Sequence, residues 1–106
     1  DFGISYVGPL ILDLGKGILW NCVDKGIINK RKLSNFLKGY FFHRILTKTE
    51  RDNLKKSILF GIYASIYVDL FHIPFGRAPE KYCLFMVRKW LPLAKWIKNS
   101  FKPDKL

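Results

Sequence analysis

The run SILFGIYASIYVDLFHIPF, Ser57–Phe75, decides how this chain is read: nineteen residues with no Lys or Arg and one acid, Asp69. A helix needs about 20 predominantly apolar residues to cross a hydrocarbon core of about 30 Å. The run therefore reads as membrane-embedded or deeply buried. Its helix begins upstream of the apolar part, because Thr47-Lys48-Thr49-Glu50 has the form of a capping box, Ser/Thr followed three residues later by Glu, and Asp52 adds a second acid to the electropositive first turn. Pro74 and Gly76 supply the stop. The expectation is one helix over about 48–72, roughly 37 Å long at 1.5 Å per residue, with a charged foot and an apolar remainder.

Working towards the N-terminus, a second apolar helix is expected over about 9–25. Gly8-Pro9 places proline at a first helical position, and Asp24-Lys25-Gly26 ends with the glycine expected just past a helix C-cap. The helix is interrupted by Asp13 and Lys16, three apart and so on one face. Gly15 and Gly17, with Gly61 in the central run, are candidate packing positions, since a residue without a side chain lets a second helix backbone approach closely. Between the two apolar segments the charge climbs, with ten Lys or Arg against three acids from Asp24 to Lys56. Within that stretch SNFLKGYFFHRIL reads as a short helix capped by Ser34 and lying on a surface.

Beyond the break, KYCLFMVRKWLPLAKWIKNSFK carries Lys81, Arg88, Lys95 and Lys102 at seven-residue intervals with Lys98 alongside, and Tyr82, Phe85, Trp90, Ile97 and Phe101 mostly elsewhere on the wheel. A basic helix with Trp on its apolar side is the pattern of a helix lying in a membrane interface. It is expected over about 81–101, kinked or restarted at Pro92, with Arg88, Lys89, Trp90, Lys95, Trp96 and Lys98 as candidate lipid-headgroup contacts.

The fold expected is thus all-α: a small integral membrane protein with one or two transmembrane helices, about 9–25 and 48–72, plus a basic amphipathic interfacial C-terminal helix. One domain, 1–106, holds all of it, since no repeat or long linker divides the chain. The topology conflicts with the charge: each apolar segment, if it crossed, would have basic flanks on both sides, which the positive-inside rule disfavours. Enclosure by partners in a larger assembly would ease that conflict.

Composition narrows the partners. A net charge of +11 beside 49% apolar and 16% aromatic residues calls for a surface that meets something anionic. Two classes fit: anionic phospholipid of the cardiolipin kind, together with larger membrane-protein subunits, or nucleic acid, as in a small basic mitochondrial ribosomal subunit. The uncharged run at Ser57–Phe75 favours the first. Cys22 and Cys83 are far apart in sequence and read as small buried hydrophobes rather than a zinc site or disulfide framework. Asp1 at position 1, with Met86 as the only methionine, reads as a processed end or a fragment edge.

For chemistry the sequence offers little. Asp69 and His72, one turn apart near the end of the central helix, are the candidates for a proton, quinone or haem role, because an ionisable group in an apolar helix is expensive and a carboxylate can orient an imidazole. The competing reading is that they mark where the helix leaves the apolar layer. Val68-Asp69-Leu70-Phe71-His72 is also similar to the acidic end of the second helix in the small anchor subunits of succinate dehydrogenase, although the aromatic expected directly after the acid is Leu70 here. His43, beside Arg44 in a basic aromatic stretch, reads as a surface residue. No metal-ligand spacing, nucleophile triad or phosphate-binding glycine loop is present in the sequence, so no enzyme activity, metal or cofactor is expected. The resulting expectation is a non-catalytic, lipid-contacting accessory subunit of a multi-subunit complex of the mitochondrial inner membrane, in the respiratory chain or ATP synthase.

Overall fold

A computed structural model describes residues 10–72, 74–76 and 79–102; the side chain of His72 is not among those described. The order of elements is α1 (Leu10–Cys22), β1 (Val23–Asp24), β2 (Ile27–Ile28), α2 (Lys30–His43), α3 (Lys48–Asp52), α4 (Leu54–His72) and α5 (Glu80–Ser100). The expected helical content is present, but the expected membrane spans are not.

No helix of the described residues is long and apolar enough to cross a membrane. Two features of the central run explain this. The helix expected over 48–72 is divided: Asn53 adopts φ −105° and ψ 7°, its side-chain amide donates to the Thr49 carbonyl at 2.7 Å, and α3 ends there. An Asn side chain that bonds nearby backbone competes with the helical pattern. The new helix, α4, then carries Lys55 and Lys56 in its first turn and Asp69 in its last. The uncharged stretch between them is 57–68, about 18 Å of helix against a core of about 30 Å.

The other expected span, 9–25, is also shorter than its sequence suggests. Residues 8 and 9 lie outside the described residues, and α1 ends at Cys22. The chain turns there into a hairpin in which Val23 pairs with Ile28 and Asp24 with Ile27. Lys25 (φ 54°) and Gly26 (φ 79°) are both left-handed, the requirement of a type I′ turn, so Gly26 serves a hairpin rather than a helix cap. The surface helix expected from Ser34 starts earlier, at Lys30, because Asn29 takes the cap and accepts from the Lys32 N–H at 3.0 Å.

α4 is the centre of the molecule. Its first half buries Leu54, Ser57, Ile58, Gly61 and Ile62, the i, i+3, i+4, i+7, i+8 spacing of one helix face. α1 packs on one side of it and α5 on the other, while α2 lies against α1. The core joins Leu14 and Ile18 of α1, Ile58 and Ile62 of α4, and Trp90, Leu93 and Ile97 of α5, with Leu33 and Leu37 of α2 and Ile28 of the hairpin completing it. α5 runs continuously through Pro92, so the expected restart does not occur. Its apolar face, Cys83, Trp90, Leu93, Ala94 and Ile97, is buried in protein. That corrects the expected interfacial helix in part: Trp90, Ile97 and Phe101 of the side meant for the membrane are covered, while Tyr82 and Phe85 stay exposed.

α1 and α4 approach so closely that Gly15 has no room for a side chain. A Cβ at Gly15 would lie 2.8 Å from Ser57 Oγ and 2.9 Å from the Ser57 carbonyl carbon and oxygen. At Gly61 the obstacle is the Leu19 Cδ1 at 2.8 Å, the end of a side chain that can rotate away. Thermal or denaturant unfolding should therefore separate two otherwise similar substitutions. Gly15→Ala is expected to destabilise by about 2 kcal/mol through overpacking against backbone, and Gly61→Ala by less than about half of that. Equal costs would mean that the Gly15 contact is not the tighter one.

Candidate functional site

The positions singled out from sequence fall into four groups. Gly15, Gly17 and Gly61 lie at helix contacts, with Gly17 facing the Phe36 ring of α2, whose Cζ would stand 2.7 Å from an added Cβ. Arg88, Lys89, Lys95 and Lys98 are exposed on α5 together with Lys81, and Lys102 is exposed just after it. Trp96 is partly buried. Trp90, by contrast, is 2% exposed. Its ring meets the edge of Trp20 at 5.9 Å, Lys89 Nζ sits 5.4 Å over it, and its Nε1 finds no hydrogen-bond partner among the described residues. Trp90 is thus a core residue and is removed from the headgroup contacts.

Asp69 is partly buried near the end of α4. Its expected pairing with His72 falls on a side chain outside those described. Among the described residues no group of three His, Cys, Asp or Glu could hold a metal ion. Cys22 and Cys83 are free thiols and both are buried; burial pushes the Cys22 thiol above its ordinary pKa, an effect that the charge of Lys32 partly opposes.

Polar order is concentrated at the junction of α2 and α3. Thr47 and Glu50 form the capping box in full: the Glu50 N–H donates to Thr47 Oγ1 at 3.1 Å and the Thr47 N–H to Glu50 Oε1 at 3.0 Å. The same carboxylate takes an ion pair from Arg44 Nη2, whose Nη1 donates to the Tyr40 hydroxyl at 2.7 Å. The Arg44 bond, and then the Thr47 N–H, hold the Glu50 carboxyl below its ordinary value, while Arg44 is raised by the Glu50 and Tyr40 bonds. Next to this junction an open cavity of about 340 Å³ lies between Leu10, Asp13 and Leu14 of α1 and Phe36, Tyr40 and His43 of α2, with Arg44 at its edge. His43 is exposed, as expected of a surface residue.

What sequence reasoning missed is where the apolar side chains of α4 point. From Tyr63 to Phe71 no residue of α4 is buried. Tyr63, Tyr67, Leu70 and Phe71 are exposed at i, i+4, i+7 and i+8, one face of the helix, and Phe60 precedes them. Tyr67 stacks on Phe71 at 6.1 Å between ring centroids, and Phe71 meets Phe75 at 4.9 Å. Lys98 Nζ lies 5.7 Å from the Tyr63 ring centre, and Lys55 Nζ donates to the Lys98 carbonyl at 2.9 Å. These two contacts tie the start of α4 to the end of α5, so the helices run antiparallel. The pair consequently has a basic end, with Lys55, Lys56, Lys95, Lys98 and Lys102, and an aromatic end, with Tyr67, Phe71, Phe75, Tyr82 and Phe85. The signal was in the spacing of the aromatics, which continues the helical period one face away from the buried stripe.

No family model, curated protein or solved structure matches the chain.

The Glu50 linkage gives a pH prediction. A carboxyl whose folded pKa lies below its ordinary 4.5 contributes stability that is fully present above that value and is lost as pH falls through the folded one. Glu50→Gln should lower stability at neutral pH and remove that part of the acid loss, so that parent and variant converge below the folded value. Parallel denaturation curves for the two proteins across pH 7 to pH 2 would contradict this.

Proposed function

We propose that this chain is a non-catalytic accessory subunit that sits on an anionic membrane surface rather than crossing it, packed beside larger membrane proteins, in a setting such as the mitochondrial inner membrane and its respiratory or ATP synthase complexes. One observation carries the reading: α5 keeps Cys83, Trp90, Leu93, Ala94 and Ile97 in the core and turns Lys81, Arg88, Lys89, Lys95 and Lys98 outwards, with Lys102 exposed just beyond its end. A helix so mounted meets its partner through charge. The outer side of α2 adds Lys30, Arg31, Lys32 and Lys38, all exposed. Each Lys or Arg brought to an anionic leaflet contributes about 1 kcal/mol and is screened within a Debye length, about 8 Å at physiological ionic strength.

Nucleic acid offers the same sign of charge. Lipid is favoured by the exposed Phe60, Leu70, Phe71 and Phe75, apolar side chains for which a headgroup and acyl boundary is the natural solvent. The reading extends the lipid-contacting role expected from sequence, with the crossing removed and the membrane met from one side.

Vesicle flotation tests it. The protein is expected to float with phosphatidylcholine vesicles containing cardiolipin, to remain in solution with phosphatidylcholine alone, and to release from the former as salt rises. Replacing Arg88 and Lys95 together by Ser should remove about 2 kcal/mol, roughly a thirtyfold loss of affinity. Binding to RNA that nuclease abolishes, with no flotation on either vesicle, would overturn the proposal.

A further inference from the structure

We propose that the aromatic end of the α4/α5 pair inserts among the lipid headgroups and so fixes the orientation of the protein on the membrane; this rests on the surface-bound reading above. The six side chains concerned are Tyr67, Leu70 and Phe71 on α4, Phe75 in the turn after it, and Tyr82 and Phe85 at the start of α5. Each is between 41% and 68% exposed. Large apolar side chains gathered at one end of a small protein mark a contact surface.

The arrangement fits a lipid interface in three respects. Tyr67, Phe71 and Phe75 follow one another as a ladder of ring contacts, so the ridge presents rings rather than scattered side chains. Along α4 no basic group interrupts the ridge, since Ser57 to Phe75 holds no Lys or Arg; Lys98 closes the lower edge over Tyr63, and on α5 the exposed Lys81 and Arg88 flank Tyr82 and Phe85 in sequence. Aromatic rings at headgroup level with cations beside them for the phosphates is the pattern of interfacial anchoring. Finally, the insertion is shallow by construction. The face of the first half of α4 that carries Leu54, Ile58 and Ile62 is held by α1 and α5, so only side chains that are already exposed can reach lipid without opening the core. A nucleic-acid surface would instead interleave rings with cations along a groove, because the phosphates follow the bases.

The test uses the buried state of both native thiols. Under native conditions a solvatochromic maleimide should label a single new cysteine and spare Cys22 and Cys83. Tyr67→Cys places the dye on the aromatic end; Lys56→Cys places it at the basic end, about 16 Å away along α4. On cardiolipin-containing vesicles the dye at position 67 is expected to shift to the blue and to be quenched by brominated acyl chains, and the dye at position 56 to do neither. In the unlabelled chain, Leu70→Ser with Phe75→Ser should lower the vesicle partition coefficient roughly tenfold at unchanged thermal stability.

A blue shift at position 56 instead of 67, or at neither while the protein still floats, would overturn insertion and leave surface adsorption standing. A blue shift at position 67 that needs only protein concentration and no lipid would also overturn it, by making a second copy the occupant. Failure of the parent chain to float on any vesicle would overturn both the adsorption and the insertion.

Discussion

The fold depends on the contact between Gly15 and the backbone of Ser57. Because α1 presents no side chain there, its axis can approach α4 until Leu14 and Ile18 on one helix reach Ile58 and Ile62 on the other. Ser57 permits this as much as Gly15 does. Its hydroxyl donates to the Leu54 carbonyl at 2.7 Å, so a polar atom at the tightest point of the core is satisfied within its own turn. One turn on, Leu19 lies over Gly61, and on the opposite side of α1 Phe36 lies over Gly17, which seats α2. Beside α1, α5 covers a further flank of α4 with Trp90, Leu93 and Ile97, while the face carrying Phe60, Tyr63, Tyr67 and Phe71 stays exposed.

That order of packing explains why hydropathy misled. The run of nineteen residues without Lys or Arg serves two roles: Ser57, Ile58, Gly61 and Ile62 are buried in the core, with Leu59 and Ile66 packed against it, while Phe60, Tyr63, Tyr67, Leu70, Phe71 and Phe75 are exposed. A count of apolar residues cannot separate them, since both lack charge. Nor do the glycines discriminate, because small residues allow close helix contact in water as well as in lipid. What was legible was local chemistry. The Thr47–Glu50 capping box is present with both of its bonds, and α4 stops before Pro74. The break at Asn53 and the hairpin at Lys25-Gly26 were not legible, because each sits inside a pattern that another element explained equally well: a long capped helix in the first case, a glycine C-cap in the second.

The surface was half legible for a similar reason. The seven-residue spacing of Lys81, Arg88 and Lys95 does place them on the outer side of α5, while Lys102, exposed as well, lies past the end of the helix. Trp90 falls on the apolar side of the wheel, about 200° around the helix from Arg88, and it does share a face with Cys83, Leu93, Ala94 and Ile97, but that face meets protein and not lipid. The angle on the wheel separates an apolar face from a basic one, but does not say whether the apolar face meets lipid or another helix. The aromatic end escaped notice in the opposite way. Tyr67, Leu70 and Phe71 were counted as interior to a span, although their angle sets them apart from the Leu54, Ile58 and Ile62 stripe.

The excess of charge bears on stability as well as on binding. Nineteen Lys and Arg against eight acids leave eleven positive charges with no possible acidic partner in the chain, whatever geometry it adopts. Ion pairing within the protein, such as Lys32 with Asp24 at 3.7 Å or Arg44 with Glu50, can reduce local repulsion but cannot alter that remainder. Self-repulsion of this kind opposes the compact state. A partner that supplies negative charge to the folded form therefore does two things at once: it gains binding energy from the outward cations, and it relieves a strain that the 106-residue core otherwise meets alone. Under the proposed reading an anionic surface would add to the stability of so basic a small protein, and the exposed end of α4 would set which way it faces.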